Sequence, residues 1–139
     1  MRKGFTLLEC TLAGALLSLL AVVFLEGISV ATRISTANAQ LLAADGVAWD
    51  AVWKKFNEDY GNMNYGTRTE TLVESAAPSL YAAGCEATLT VQVSAVSGFP
   101  NLKCISADVE WGPSERRRKL SDYHSVWVYR SSLERSKTW

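Results

Sequence analysis

Apolar positions along this chain fall into three successive patterns. Over residues 5–25 they run almost unbroken, with Glu9 and Cys10 the only ionisable side chains. A helix of that length rises about 1.5 Å per residue, roughly 31 Å in all. That is enough to cross a hydrocarbon core about 30 Å thick. Past Arg33 the apolar spacing becomes that of a single helical stripe, through Ile34, Leu41, Leu42, Ala48, Trp49, Val52, Trp53 and Phe56. Asp45, Asp50, Lys54, Lys55 and Asn57 occupy the other face. The pattern predicts one long helix over residues 5–60, membrane-spanning in its first half and amphipathic in its second, with Gly27 and Gly46 as weak points. Trp49 and Trp53, one turn apart on the stripe, are expected in a core against a sheet.

Residues 61–84 hold no sustained period and include Gly61, Gly66, Pro78 and Gly84. They read as a connecting loop, with room for a short strand or helical turn near Leu72 or Leu80. Strict alternation then begins: Cys85, Ala87, Leu89, Val91, Val93 and Ala95 on one side, Glu86, Thr88, Thr90, Gln92 and Ser94 on the other. A turn over 97–101 leads to a second strand with Ile105, Ala107, Val109 and Trp111 facing inward, and a turn over 112–115 leads to a third, over 118–130. A helix followed by an antiparallel meander is an α+β fold, with the sheet packed on the outer half of the helix.

Fourteen basic and fourteen acidic residues leave a net charge of +0, so no overall field attracts nucleic acid. The distribution says more than the sum. Arg2 and Lys3 precede the apolar run and a lone Arg33 follows it, which places the N-terminus in the cytoplasm and the remainder across the membrane. A cleavable secretory signal fits poorly, because its apolar core should be about 7–15 residues long with a small-residue site close behind. Here the nearest such site, Ala37-Asn38-Ala39, lies far beyond Leu25. A plain single-pass anchor leaves Glu9 unexplained. An acid near the centre of a membrane helix costs on the order of 2.5–3.5 kcal/mol and calls for a partner. No basic side chain lies near it in the run, so the partner is expected from another chain.

Gly4-Phe5-Thr6-Leu7-Leu8-Glu9, behind a short basic leader and ahead of a long apolar helix, resembles the N-terminal motif of the type IV prepilin family. Type IV pilins and type II secretion pseudopilins share that motif. The resemblance implies cleavage after Gly4 by a membrane prepilin peptidase and N-methyltransferase, with Phe5 as the methylated new N-terminus. It implies that Glu9 pairs with the N-terminal amine of a neighbouring subunit, since a buried carboxylate is tolerated when a cation neutralises it. The organisation it implies is a leader over 1–4, a transmembrane and assembly helix over 5–33, and an extracytoplasmic domain over 34–139. That domain divides into a helix over 34–60, a loop over 61–84, a sheet over 85–130 and a tail over 131–139. Ala13, Gly14, Ser18 and Ala21 are small enough for close helix packing within such an assembly. Two departures from major pilins stand out: Glu26 occupies the place where many have a helix-interrupting proline, and Cys10 follows Glu9. Both favour a minor subunit of the inner membrane, initiating or capping a pilus or secretion pseudopilus, with other pilin or pseudopilin subunits as partners. The meander is similar to the C-terminal sheet of such subunits.

Catalysis and metal binding find no motif: there is no phosphate-binding glycine loop, no HExxH, no acidic calcium loop and no zinc spacing of cysteines. The chain is expected to be no enzyme and to carry no cofactor. His124, the single histidine, reads as a surface strand residue. Cys85 and Cys104 could form a disulfide in an oxidising compartment, although a simple hairpin sets Cys104 opposite Ser94 instead. Arg116-Arg117-Arg118-Lys119 reads as a solvated turn or as a phosphate-binding patch, with Tyr123, Trp127 and Tyr129 as stacking surfaces. The second reading makes the alternative function DNA uptake. Those three aromatics would share one strand face and serve equally well as core.

Overall fold

The structure, a computed structural model, describes residues 6–74, 77–81, 86–113 and 115–132. The chain divides into two compact units, residues 1–38 and 39–139, and one helix, α1 (Leu7–Phe56), contributes to both. No proline falls within α1, and its last turn carries Lys54 and Lys55, which complement the helix dipole. The helix stops at Phe56, short of the expected Tyr60, and a 3-10 turn follows at Tyr60–Asn62.

In the first unit the side chains of residues 6–36 are all exposed. The stretch contains a window apolar and long enough to cross a membrane. Two hydroxyls of its apolar run bond locally: Thr11 donates to the Leu8 carbonyl at 2.9 Å and Ser18 to that of Gly14 at 2.8 Å. Such bonds remove the polar cost of these side chains in hydrocarbon.

The second unit is an antiparallel sheet covered by the outer part of α1. Its strands are β1 (Gly66–Thr71), β2 (Ala87–Val96), β3 (Phe99–Trp111), β4 (Arg118–Lys119) and β5 (Val126–Ser131). The order is β1-β2-β3, with β4 and β5 successive on the remaining edge of β3. Ala44, Ala48 and Val52 recur every fourth residue, and these small side chains let the helix approach the sheet closely. Opposite them Ala87, Leu89, Val93, Ile105, Ala107, Val109 and Trp111 alternate inward. Met63, Ala77, Leu80, Leu120 and Val126 complete the core. Each fully buried aliphatic side chain of this kind stabilises by about 1.5–3 kcal/mol.

The α+β arrangement is the expected one, and so is the hairpin register, which pairs Ser94 with Cys104. Within residues 61–84 the short strand near Leu72 is the edge strand β1, whose Gly-Thr-Arg-Thr-Glu-Thr sequence carries no apolar residue. Three details differ. The turn between β2 and β3 is tighter than 97–101, because Gly98 adopts φ +83° and lets Phe99 pair at once with Val96. The third strand is broken into β4 and β5 by a 3-10 turn, Leu120–Asp122, which drops Leu120 into the core. Finally, Trp49 and Trp53 are 38% and 49% exposed, not core. The buried face is the alanine-rich one, and the tryptophans stand away from it beside Leu42.

Candidate functional site

Two sets of residues carry the chemistry predicted from sequence, and each lies within one unit. At the start of α1, Gly4 and Phe5 fall outside the described residues. Thr6 and Glu9 form a reciprocal capping box: the Thr6 amide donates to Glu9 Oε2 at 2.9 Å, and its hydroxyl donates to the same oxygen at 3.1 Å. The Glu9 amide donates back to Thr6 Oγ1 at 3.3 Å. This supplies orphan donors of the first turn with acceptors. The carboxylate therefore has a partner inside its own chain, a pairing that the Thr-x-x-Glu spacing already spells out. At about 100° per residue, Gly14, Ser18 and Ala21 share one helix face with Cys10, whereas Ala13 lies one turn from Glu9 on an adjoining face. All of them are exposed.

In the second unit, Cys104 is a free thiol facing Ser94 on one side and Tyr129 on the other; Cys85 lies outside the described residues. The basic run is not four free cations. Arg117 and Lys119 each lie 3.8 Å from the Glu110 carboxylate, which draws both toward β3. A backbone bond from Arg116 to the Pro113 carbonyl closes the turn, and Gly112 enters it at φ +111°. A Cβ at Gly112 would sit 3.1 Å from the Arg116 carbonyl oxygen, so the position suits glycine.

The aromatic trio is not one surface. Tyr123 follows the 3-10 turn and stacks on Trp111 with ring centroids 6.3 Å apart. Trp127 and Tyr129 stand on the sheet face turned away from the helix, 49% and 47% exposed, while Val128 between them and Val126 and Arg130 to either side point inward. His124 hydrogen-bonds Asp45 Oδ1 at 2.7 Å, fastening the loop before β5 to α1.

Sequence reasoning missed one feature. Lys103 is 7% exposed, and its ammonium donates to the carbonyls of Tyr60 at 2.9 Å and Met63 at 2.5 Å. It also lies 4.2 Å from the Tyr60 ring centroid and 4.9 Å from that of Tyr65. Carbonyl dipoles and aromatic faces together stabilise the charge. Extending the β3 alternation backward from Ile105 puts Lys103 on the core face, so the signal was available. Beside it on β5, Arg130 lies over the Phe56 ring at 4.5 Å. The Tyr60 phenol is held above its ordinary pKa of 10.0, by burial first and by the neighbouring Tyr65 second.

Between α1 and β1 lies an open groove of about 580 Å³. Val47, Ala51, Leu89 and Val93 line its floor, and Arg68 and Glu70 of β1, 3.6 Å apart, line one wall. Among the described residues no three histidine, cysteine or carboxylate side chains are grouped to hold a metal ion. Compared with known proteins, the chain matches no family model, no curated sequence and no solved structure.

Proposed function

We propose that this chain is a minor subunit of a pilus-like filament, either a type IV pilus or a secretion pseudopilus, with its first helical half in the inner membrane. The observation that carries the reading is Glu9: a carboxylate in the first turn of a helix that is apolar and exposed through residue 36, closing the motif Gly4-Phe5-Thr6-Leu7-Leu8-Glu9. Beyond capping its first turn, a membrane anchor as such has no use for an acid there. Assembly does, because a neighbour's N-terminal amine can replace the Thr6 donors and neutralise the charge. The fold supports the same reading, since a long helix leading into an antiparallel sheet is the architecture that the resemblance implies.

Processing is the direct test. The protein isolated from its native membrane should begin at Phe5 and carry one added methyl group, read by intact mass and N-terminal sequencing. Retention of residues 1–4 would overturn the reading. Glu9→Val should abolish incorporation into filaments while leaving the thermal melting of residues 39–139 unchanged.

The DNA-uptake alternative gains nothing from the geometry. Glu110 engages two of the four cations, and Trp127 and Tyr129 pair with Ser106 and Cys104, toward the other end of β3 from the basic turn.

A further inference from the structure

Strand β1 is paired on one side only, with β2, and among the described residues no strand bonds to its other edge. Its register with β2 runs unbroken from Gly66 to Thr71, and every residue of it is exposed. Just beyond it the Leu72 amide donates to the Ala87 carbonyl at 2.9 Å, which makes these two a directly hydrogen-bonded pair. Bonded and non-bonded pairs alternate along an antiparallel ladder. Arg68 and Glu70 therefore direct their backbone groups to Val91 and Leu89, whereas the amides and carbonyls of Thr67, Thr69 and Thr71 point to the open edge. The Thr69–Thr90 pair agrees, since its hydroxyls lie 3.3 Å apart, as suits the closer side chains of a non-bonded pair.

Natural sheets discourage pairing at such an edge with proline, a bulge or lysine side chains. Strand β1 has none of these, and its two charges are of opposite sign. They also stand symmetrically about Thr69. Laid antiparallel to a second copy of itself, Thr67-Arg68-Thr69-Glu70-Thr71 sets Arg68 opposite Glu70 in both directions and threonine opposite threonine elsewhere. The ladder parity selects the same register. A two-fold axis at Thr69 makes Thr69 with Thr69, and Thr67 with Thr71, the bonded pairs, which use the backbone groups that point outward, about six bonds in all. Arg68 and Glu70 then form the non-bonded pairs, with Cα atoms about 4.5 Å apart and side chains at their closest. Leu72 falls beside Gly66 of the second copy, where nothing lies within 4 Å of a Cβ position.

We propose that β1 is a self-association edge, through which two copies of the chain join β1 to β1, antiparallel about Thr69, into one continuous sheet. The backbone groups of the three threonines and reciprocal Arg68–Glu70 pairs hold the contact. The axis stands perpendicular to the sheet, so the outer helices of the two copies, residues 39–56, lie on one face and run in opposite directions. The contact is closed and isologous, different in kind from the head-to-tail contacts that build a filament, and does not depend on the filament reading. One strand pair buries less than the roughly 1,000 Å² of a stable complex, so the dimer is weak, with a dissociation constant of about 10 µM or above.

The test is sedimentation equilibrium of the full chain in a density-matched zwitterionic detergent, at chain concentrations up to about 500 µM. The expected result is a monomer–dimer equilibrium that Arg68→Glu and Glu70→Arg each weaken about tenfold or more. Mixed together, these two variants should associate with each other as well as the unaltered chain does with itself, because every charge pair is then restored. Thr69→Pro removes an amide that points to the open edge and none that bonds β2, so it should abolish the dimer and leave the thermal melt unchanged. A chain that stays monomeric throughout overturns the proposal. So does a dimer that Arg68→Glu and Thr69→Pro leave intact, which would place the contact elsewhere, or a failure of the two charge variants to associate when mixed.

Discussion

The two halves of α1 are equally regular helix, yet their apolar side chains stand in opposite conditions. Over residues 7–36 leucine, valine and phenylalanine are exposed throughout, with Leu7 at 85%. Over residues 39–56 the buried positions are Ala44, Ala48 and Val52, and the larger Leu42, Trp49 and Trp53 stay in solvent. Large apolar side chains thus mark the half whose surroundings must come from outside the chain. Small ones mark the half that packs against its own sheet. Hydrophobicity alone does not say which half supports the fold; side-chain size and spacing do.

A buried charge should break that contrast most sharply. Ala48→Asp places a carboxylate at 0% exposure against the sheet and should cost about 4 kcal/mol or more. Loss of the cooperative melt by circular dichroism is the expected outcome. Ala13→Asp, one turn beyond Glu9, should leave that melt in place in detergent and instead abolish recovery of the protein in the membrane fraction.

The clamp beyond the helix end offers a smaller, sharper test. Lys103→Met keeps the stem and removes the donors of two buried carbonyls, at a cost of about 2–3 kcal/mol. For a domain of about a hundred residues this lowers the melting temperature by roughly 8–24 °C. If residues 7–38 carried the stability instead, the substitution would be nearly silent.

The smallest effect is a pH dependence. Because Tyr60 is raised above 10.0 in the folded state, its contribution is fully present below that value and is lost as pH rises through the folded pKa. Denaturant midpoints for residues 39–139 should therefore fall at alkaline pH, and Tyr60→Phe should flatten the decline.

How much of this was legible depended on whether period and chemistry agreed. The β2–β3 hairpin was readable because Ala87 to Val93 and Ile105 to Trp111 alternate strictly, and alternation fixes both face and register. Strand β1 was readable only as room for a short strand near Leu72, since Gly66–Thr71 sits on the sheet edge with every residue exposed and no apolar phase to fix its bounds. The stripe on α1 misled by size: Trp49 and Trp53 outweigh Ala44 and Ala48 in any hydrophobic sum, although tight helix–sheet packing prefers the alanines. Glu9 stood out as an acid in an apolar run, and its bonds to Thr6 satisfy it through neutral donors where a cation was expected. Lys103 was masked by its residue type, because lysine is rarely buried unless its charge is stabilised, as it is here by carbonyls and rings.

That clamp also decides how the domain bears load. Tension entering through α1 passes the end of the helix and meets Lys103 at Tyr60 and Met63, before it reaches β1. Part of that force passes to β3, a strand with hydrogen-bonded neighbours on both sides, so a single buried ammonium ties the segment after α1 to an interior strand as well as to the edge strand β1.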